Sequence, residues 1–304
     1  MITPPRILIA NAYPASERRN LEAAGCSDPA QLYVELLQTL MPGISCDIIY
    51  PADFGFQRPS EYILGQYDGL VWTGSSLTIH RPDERVLRQI ELAQTAYAVG
   101  LPQFGSSWGI QLAVVAAGGR CAPNPKGQET CFARKVMLTV DGQHHPMFKG
   151  KPPVFDALTY HSDEVLDLPL GAVCLATNGF TRVQAIAVQH EKGSFWAVQY
   201  RPECHLLELA RLLAAHKTSL IEDGRFTDYI DAGSYITELE NLYLEPERMD
   251  IAWRLGIDDD ILNPAIRWTE VQNWLNHEVC LLQEKRTPFS SNIDSSISSA
   301  CSLW

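Results

Sequence analysis

The sequence lacks three features that would each point to a particular class of protein. It has no uninterrupted apolar run of roughly 18 residues or more, so no membrane-spanning helix and no membrane partner is expected. It has no excess of positive charge: 24 Lys and Arg residues stand against 36 Asp and Glu residues, and the resulting net charge of −12 argues against nucleic acid as a partner. Its first residues do not combine a charged segment, an apolar segment and a cleavage site, so a cytoplasmic protein is expected.

The sequence also lacks any C-x-x-C pair, although it contains eight cysteines. Several of these cysteines lie in apolar segments typical of strands. Reduced and mostly buried thiols are therefore expected, rather than disulfides or a zinc site. Nothing in the sequence implies a metal or an organic cofactor.

Residues 101–119 combine a short apolar strand, a G-x-S-x-G turn and an apolar helix. In such a turn Ser107 lies at the apex, and Gly105 and Gly109 allow the strand and the helix to pack closely. The hydroxyl then lies at the amino end of a helix, where backbone N–H groups favour developing negative charge. The pattern predicts a serine nucleophile, but a strand-to-helix turn without chemistry has the same pattern.

Strands and helices alternate in the first part of the chain, which predicts a parallel, doubly wound sheet. Strands are predicted over 6–13, 46–51, 67–73 and 101–105, and helices over 30–40 and 84–98. Later strands follow one another without long helices, at 134–140, 154–160, 172–177, 183–189 and 194–200, and predict an antiparallel or mixed region. A helix over 203–216 follows.

Beyond about residue 220 the pattern predicts only helices, notably 246–255 and 264–284. We therefore predict one domain over 1–220 and a helical C-terminal extension over 221–304 that ends in a flexible, Ser-rich tail. Trp253, Trp268 and Trp274 are expected to pack. The pattern favours an extension that docks on its own domain, and a homodimer remains open.

Two stretches of the chain resemble the class I glutamine amidotransferase family. FGSSWGIQLAVVAAGG is similar to the family's nucleophile elbow, G-x-C-x-G-x-Q, and AVQYRPE is similar to its V-Q-[FY]-H-P-E strand end. Weaker similarities lie at 124–129, 161–165 and 183–185. The resemblance covers about residues 5–215 and implies an α/β fold: a flavodoxin-like, doubly wound mixed sheet of the class I glutamine amidotransferase type, with the helical extension added.

The chain departs from the family pattern at two catalytic positions. Ser107 stands where the family has its cysteine and Arg201 where it has its histidine, whereas Glu203 matches the third member of the triad. An arginine stays protonated and cannot act as the base. The leading hypothesis is an amide (C–N) hydrolase in which Ser107 forms an acyl-enzyme with a small, γ-glutamyl-type amide and Glu203 is the base of a Ser–Glu dyad. Arg201 would hold Glu203 or bind a substrate carboxylate.

Three alternatives remain open at this point. In the first, His161 or His205 replaces the missing histidine as base. In the second, the site is catalytically inactive and binds a ligand or a partner. In the third, the chain is a serine esterase of the α/β-hydrolase type, because Ser107, Asp163 and His205 occur in the serine, acid, histidine order of that fold.

The resemblance also implies the remaining parts of a site. The N–H of Trp108 and the loop of Gly74, Ser75 and Ser76 would bind an oxyanion. Contacts to a small amide substrate are expected from the residues Gln111, Glu129 and His161, with Glu129 or Asp163 near an ammonium group. Transfer of ammonia to a separate synthetase partner is left open.

Overall fold

A nine-stranded mixed sheet forms the centre of the protein in a computed structural model, which describes residues 4–286. The strands, in chain order, are β1 (Arg6–Ala10), β2 (Ser45–Ile49), β3 (Gly69–Trp72), β4 (Gln103–Ser106), β5 (Arg120–Pro123), β6 (Glu129–Leu138), β7 (Val154–His161), β8 (Asp163–Asp167), β9 (Ala172–Thr177), β10 (Ala185–His190) and β11 (Gly193–Val198). Strands β5 and β8 form a separate two-stranded sheet.

Helices cover both faces of this sheet. They are α1 (Ala15–Ala23), α2 (Pro29–Leu40), α3 (Glu61–Leu64), α4 (Glu84–Val99), α5 (Trp108–Ala116), α6 (Val140–His144), α7 (Leu206–Ala215), α8 (Lys217–Glu222), α9 (Tyr229–Leu244), α10 (Met249–Leu255), α11 (Asp259–Leu262), α12 (Pro264–Arg267), α13 (Thr269–Trp274) and α14 (Cys280–Arg286). A 3₁₀ turn lies at Pro146–Phe148, and a π-helical segment at Leu275–Val279 joins α13 to α14. None of the helices within residues 4–286 is long and apolar enough to cross a membrane.

The order of the strands confirms the predicted doubly wound mixed sheet. It is β2-β1-β3-β4-β11-β10-β9-β6-β7. The first five of these strands pair in parallel. The remaining pairs are antiparallel.

Side chains that alternate along the central parallel strands build a core on both faces of the sheet. On β1, Ile7 and Ile9 belong to one buried cluster, whereas Leu8 and Ala10 belong to the other. A strand that is covered on both faces has no solvent-facing side, so it appears in the sequence as a continuous apolar run. This is why RILIA could be recognised as a parallel strand.

Three neighbouring strands bring the predicted site loops together. In the parallel register, Trp72 of β3 lies beside Gly105 of β4, and Ser106 lies beside Val198 of β11. The segments that follow these strands contain Gly74, Ser107 and Arg201, respectively. Because parallel strands end at the same edge, the three segments converge there.

The helices after residue 220 pack on the rest of the protein. Trp274 is fully buried against Phe104, with ring centroids 5.9 Å apart, and a Cβ on Gly69 would lie only 2.7 Å from its ring. Trp268 is partly buried against the same cluster. The expectation for Trp253 is wrong, because this side chain is 73% exposed. The predicted Ser-rich tail lies outside the described residues, and the predicted domain boundary at residue 220 stays a prediction.

Several predicted elements have different limits in the structure. The long helix predicted over 264–284 is divided into α12, α13, the π-helical segment and α14. Strand β6 starts at Glu129 rather than at 134, because residues 129–133 also pair with β7 and are buried, although they show no alternation of polar and apolar residues. The seven described cysteines are free. Cys131 and Cys204 are buried and the other five are partly exposed, so the expectation of mostly buried thiols is wrong.

Candidate active site

Ser107 lies at the sharp turn between β4 and α5. Its backbone has φ 52° and ψ −99°, a conformation that a residue with a side chain rarely adopts. The turn is held by a hydrogen bond from the Ser107 N–H to the Val198 carbonyl, at 2.8 Å. Strain of this kind persists only where the surrounding structure enforces it, and it commonly accompanies a functional side chain.

The turn depends on a close contact between strand and helix. A Cβ on Gly105 would lie 2.7 Å from the Cα of Gly109, a distance that real Cβ atoms do not show. The predicted close packing of β4 and α5 at these glycines is therefore present. It fixes the position of Ser107 relative to the helix.

Ser107 opens into a pocket of about 280 Å³. Its wall includes four other residues singled out from the sequence, Ser75, Trp108, Gln111 and His161, together with Asp163. The structure thus brings these residues together from three separate segments of the chain. The Ser107 hydroxyl itself has no hydrogen-bond partner among the described residues.

Glu203 and Arg201 form a buried ion pair at the end of β11. The Arg201 Nε donates to Glu203 Oε1 at 3.1 Å, and the Ser106 hydroxyl donates to the same oxygen at 3.0 Å. Glu203 Oε2 is buried and has no partner among residues 4–286. The predicted dyad is therefore not joined by a hydrogen bond, since Glu203 contacts Ser106 rather than Ser107.

The guanidinium of Arg201 lies against the predicted oxyanion loop. A Cβ on Gly74 would lie 3.2 Å from Arg201 Nη2, so a side chain at this position would crowd the guanidinium. Burial alone would lower the pKa of Arg201, but the neighbouring Cys204, Tyr13 and Glu203 side chains hold this pKa well above its usual value. Arg201 is thus a fixed positive charge that links Glu203 to the Gly74 loop.

The oxyanion loop is held by its own side chains. The Ser75 hydroxyl donates to the Ala12 carbonyl at 2.9 Å and accepts from the Leu77 N–H at 3.2 Å. Because the hydroxyl already donates and accepts a hydrogen bond, the group of Ser75 that can donate to a ligand is its backbone N–H. Trp108 is the first residue of α5, and the first N–H groups of a helix have no acceptor within the helix. Both predicted oxyanion donors border the pocket.

Glu129 lies behind the pocket rather than in it. It is 3% exposed and accepts hydrogen bonds from Asn178, Gln184 and the His161 Nε2, the last at 2.8 Å. Burial alone would raise the pKa of Glu129, but the hydrogen bonds from His161 and Asn178 outweigh burial and lower it. The carboxylate therefore holds His161, and this geometry gives no support to a direct contact between Glu129 and a substrate.

The two histidines considered as bases are engaged elsewhere. Both ring nitrogens of His161 are occupied, Nε2 by Glu129 and Nδ1 by the Asp163 carbonyl at 2.9 Å. His205 caps the start of α7 and stacks on Tyr243, with ring centroids 4.7 Å apart.

Asp163 is paired with His80, at 3.1 Å, and not with His205. The acid and the histidine that an α/β-hydrolase would need therefore do not converge on Ser107, and that alternative is wrong.

Sequence reasoning missed one histidine of the pocket, His216. It borders the same pocket as Ser107, and its ring lies 5.3 Å from that of Tyr160. Its Nδ1 is 3.0 Å from the Leu212 carbonyl, so Nδ1 carries a proton and the neutral ring has an acceptor at Nε2. Burial raises the pKa of Tyr160 to about 12, so this phenol is a neutral donor. No local motif marks these residues, because Tyr160 lies near the end of β7 and His216 directly follows α7, far from Ser107 in the chain.

Within residues 4–286, no group of three or more His, Cys, Asp and Glu side chains is arranged to hold a metal ion. The pocket offers a strained serine, a pair of backbone donors and a histidine, and the buried carboxylate of Glu203 lies against the neighbouring Ser106 rather than in the pocket wall. These groups suit nucleophilic attack on a carbonyl carbon.

The fold and the site together define an α/β protein with a serine at a nucleophile elbow. The chain belongs to the class I glutamine amidotransferase family, because residues 48–216 match the family model described as "Glutamine amidotransferase class-I". This confirms the family resemblance seen in the two motifs.

Two relatives and one solved structure are also similar to this chain. The γ-glutamyl-L-1-hydroxyisopropylamide hydrolase of Pseudomonas sp is 36% identical over 280 residues, which cover 90% of this chain and 93% of that protein. The γ-glutamyl peptidase 4 of Arabidopsis thaliana is 27% identical over 146 residues, or 48% of this chain and 57% of that protein. A glutamine amidotransferase of Thermotoga maritima has a similar fold, with a TM-score of 0.58 at 17% identity over 92% of this chain and 98% of that chain. The hydrolase relatives support the prediction of an amide hydrolase in this superfamily.

Proposed function

We propose that this protein hydrolyses the amide bond of a small γ-glutamyl amide through an acyl-enzyme on Ser107. The observation that carries the proposal is the strained Ser107 turn, which opens into a pocket that the Trp108 N–H and the Ser75 loop also border. The similarity to a γ-glutamyl amide hydrolase over 90% of the chain supports the substrate class. The expected substrate is a small molecule, and a separate synthetase partner is not required for hydrolysis.

In the proposed reaction, the Ser107 oxygen attacks the amide carbon and the carbonyl oxygen becomes an oxyanion. The N–H groups of Trp108 and Ser75 would stabilise this charge. The proton of the hydroxyl passes to Glu203 and then to the departing amine, which leaves an ester on Ser107. A water molecule then hydrolyses the ester, which restores the Ser107 hydroxyl and releases glutamate.

Transfer of the proton to Glu203 requires either a bridging water or a small shift of the carboxylate. Glu203 Oε1 is already bound by Arg201 and Ser106, so the unpartnered Oε2 is the atom free to accept it. Arg201 would hold the carboxylate in place and supply no proton transfer of its own. His216 is the competing base, because it borders the same pocket with an acceptor nitrogen.

The test combines intact-protein mass spectrometry with steady-state hydrolysis of a γ-glutamyl anilide. Wild type is compared with the variants Ser107→Ala, Glu203→Gln and His216→Gln. We expect an acyl adduct in wild type that is absent from Ser107→Ala, and a rate that falls about 10²-fold or more in Glu203→Gln, the usual effect of losing a general base. The His216→Gln variant is the matched control and should keep its activity to within about threefold, a change of less than 1 kcal/mol in the barrier.

Two outcomes would contradict the proposal at different levels. A large loss in His216→Gln together with near-normal activity in Glu203→Gln would assign the base to His216 rather than to Glu203. No adduct and no turnover with any γ-glutamyl amide, in protein that is folded, would favour a non-catalytic protein that binds a ligand. The observation that favours this second function is that Ser107 has no hydrogen bond to a base within residues 4–286.

A further inference from the structure

A second cavity, of about 600 Å³, adjoins the pocket at Ser107. Gln128 and Ser162 form part of the wall of both cavities. The second cavity is also bounded by Phe180 and by the turn at residues 223–225, which joins α8 to α9. A substrate with its amide carbon at Ser107 has room to extend into this space. The C-terminal helices therefore contribute a wall to the larger cavity.

The charges around the second cavity are mostly positive. Its wall contains the cations of Lys126 and Arg225 and a single carboxylate, that of Asp223. Within the part of the chain that the structure describes, neither cation forms an ion pair. Lys126 Nζ contacts the Gly179 carbonyl, and Arg225 Nη2 contacts the Gln128 carbonyl at 3.4 Å. Carbonyl groups are neutral, so neither charge is neutralised by its hydrogen-bond partner, and the wall has two cations against the one carboxylate of Asp223. Most of the five guanidinium donors of Arg225 have no partner among the described residues.

The pocket at Ser107 has a different electrostatic character. Among the described residues, its wall contains no Lys or Arg, and its one carboxylate, Asp163, is paired with His80. An anionic part of a substrate would therefore be bound better in the second cavity than beside Ser107. A guanidinium binds a carboxylate with two parallel hydrogen bonds, which gives both affinity and orientation.

We propose that the second cavity binds the amine half of the substrate and selects amines that carry a carboxylate, so that the preferred substrates are γ-glutamyl amino acids. Arg225 is the principal contact and Lys126 adds to the positive potential. This inference rests on the proposed γ-glutamyl amide hydrolysis. It assigns a specificity role to a turn that precedes α9, outside the segment that matches the family model.

The test uses two ligands that differ in one group. γ-Glutamylglycine carries the carboxylate, and γ-glutamylglycinamide replaces it with a neutral amide of nearly the same shape. Calorimetric binding is measured in the Ser107→Ala background, because binding there does not depend on turnover. We expect γ-glutamylglycine to bind about tenfold more tightly, as a single charge-assisted hydrogen bond would give, and we expect Arg225→Gln to abolish the difference.

Two further variants serve as controls. Arg225→Lys keeps the charge but cannot bind a carboxylate in bidentate fashion, so it should retain part of the preference for γ-glutamylglycine. Arg19→Gln removes an exposed positive charge on α1, away from the cavity, and should leave the preference unchanged. In the protein with Ser107 intact, hydrolysis of the two compounds is measured in parallel, which tests the proposed function independently.

The inference is overturned if the two ligands bind equally well, or if neither binds at all. It is also overturned if Arg225→Gln weakens both ligands by the same factor, because the cation would then contact the γ-glutamyl half that they share. A preference for γ-glutamylglycine in binding, without any hydrolysis, would retain the carboxylate site and reject the hydrolase.

Discussion

Arg201 is the residue at which this site differs most in chemistry from a triad with a histidine base. Its Nε contacts Glu203 at 3.1 Å, much as an imidazole nitrogen would, but a guanidinium has no lone pair with which to accept a proton. The paired change Ser107→Cys with Arg201→His would restore the residues of the family pattern at both positions. A thiol is also easier to ionise than a hydroxyl.

We predict that the double variant hydrolyses γ-glutamyl amides at least about 10²-fold faster than Ser107→Cys alone, because it regains a general base. The measurement is γ-glutamyl anilide hydrolysis, with the rate of thiol alkylation against pH as a second readout. The single variant Ser107→Cys is the control for the change of nucleophile. Equal rates in the two proteins would mean that position 201 does not face the nucleophile.

The sequence was informative about single residues only where the chemistry lies within a local motif. Ser107, Trp108 and Gln111 lie within one elbow, and all three border the pocket. Glu129 was expected to contact substrate because it lies in a family-like segment, but the fold gives it four hydrogen-bond donors behind His161. His216 was missed because its position in the pocket depends on the packing of α7, which no local pattern encodes.

The contact between β4 and α5 is asymmetric at its two glycines. A Cβ on Gly105 would lie 2.7 Å from the Gly109 backbone, whereas a Cβ on Gly109 would lie 3.6 Å from its nearest neighbour, Trp72. A side chain at position 105 would therefore push the strand and the helix apart, whereas a side chain at position 109 would make an ordinary van der Waals contact. Two glycines that look equivalent in the G-x-S-x-G motif thus have different constraints.

We predict that Gly105→Ala lowers the free energy of unfolding by about 1–3 kcal/mol, the usual cost of overpacking, and abolishes activity by displacing Ser107. Gly109→Ala is the matched control. It should be neutral or slightly stabilising, since alanine favours a helix more than glycine does. Urea unfolding and γ-glutamyl anilide hydrolysis measure the two effects. Equal losses in both variants would show that the contact does not determine the geometry of the turn.

At the level of elements, the limits of a helix could be predicted where its apolar residues follow a single helical period. The helix predicted over 84–98 is Glu84–Val99, because a solvent-facing helix has an unambiguous apolar stripe. The helix predicted over 264–284 is interrupted, since its residues pack on several surfaces at once and the apolar spacing alone could not locate the breaks. Strands β5 and β8 were not predicted, because each is short and pairs only with the other.

At the level of the whole molecule, the C-terminal helices complete the core on one face of the sheet. Lys151 and Glu270 form an ion pair at 3.0 Å in which both side chains are almost fully buried. Glu270 also accepts a hydrogen bond from Tyr200, the residue before Arg201. Burial lowers the pKa of Lys151, and Glu270 opposes this shift. The helices after residue 220 therefore neutralise the buried charge of Lys151 and hold the segment after β11 that carries Arg201.

This arrangement predicts that residues 1–220 do not fold alone, although the sequence pattern favoured a domain boundary there. Truncation at residue 220 removes the carboxylate that pairs with Lys151 and the ring of Trp274 that covers Phe104, together with Val271, Leu275 and Val279 of the same buried cluster. Each large apolar side chain that is no longer buried costs about 1.5–3 kcal/mol. Together these losses are comparable with the whole stability of a typical domain, about 5–15 kcal/mol. Circular dichroism during heating should show a cooperative transition for residues 1–286 and none for residues 1–220.

Lys151→Met in the shorter chain removes the unpaired charge and should recover part of the folded population. A cooperative transition of unmodified 1–220 at the temperature of the longer chain would instead mean that the extension is a separable addition.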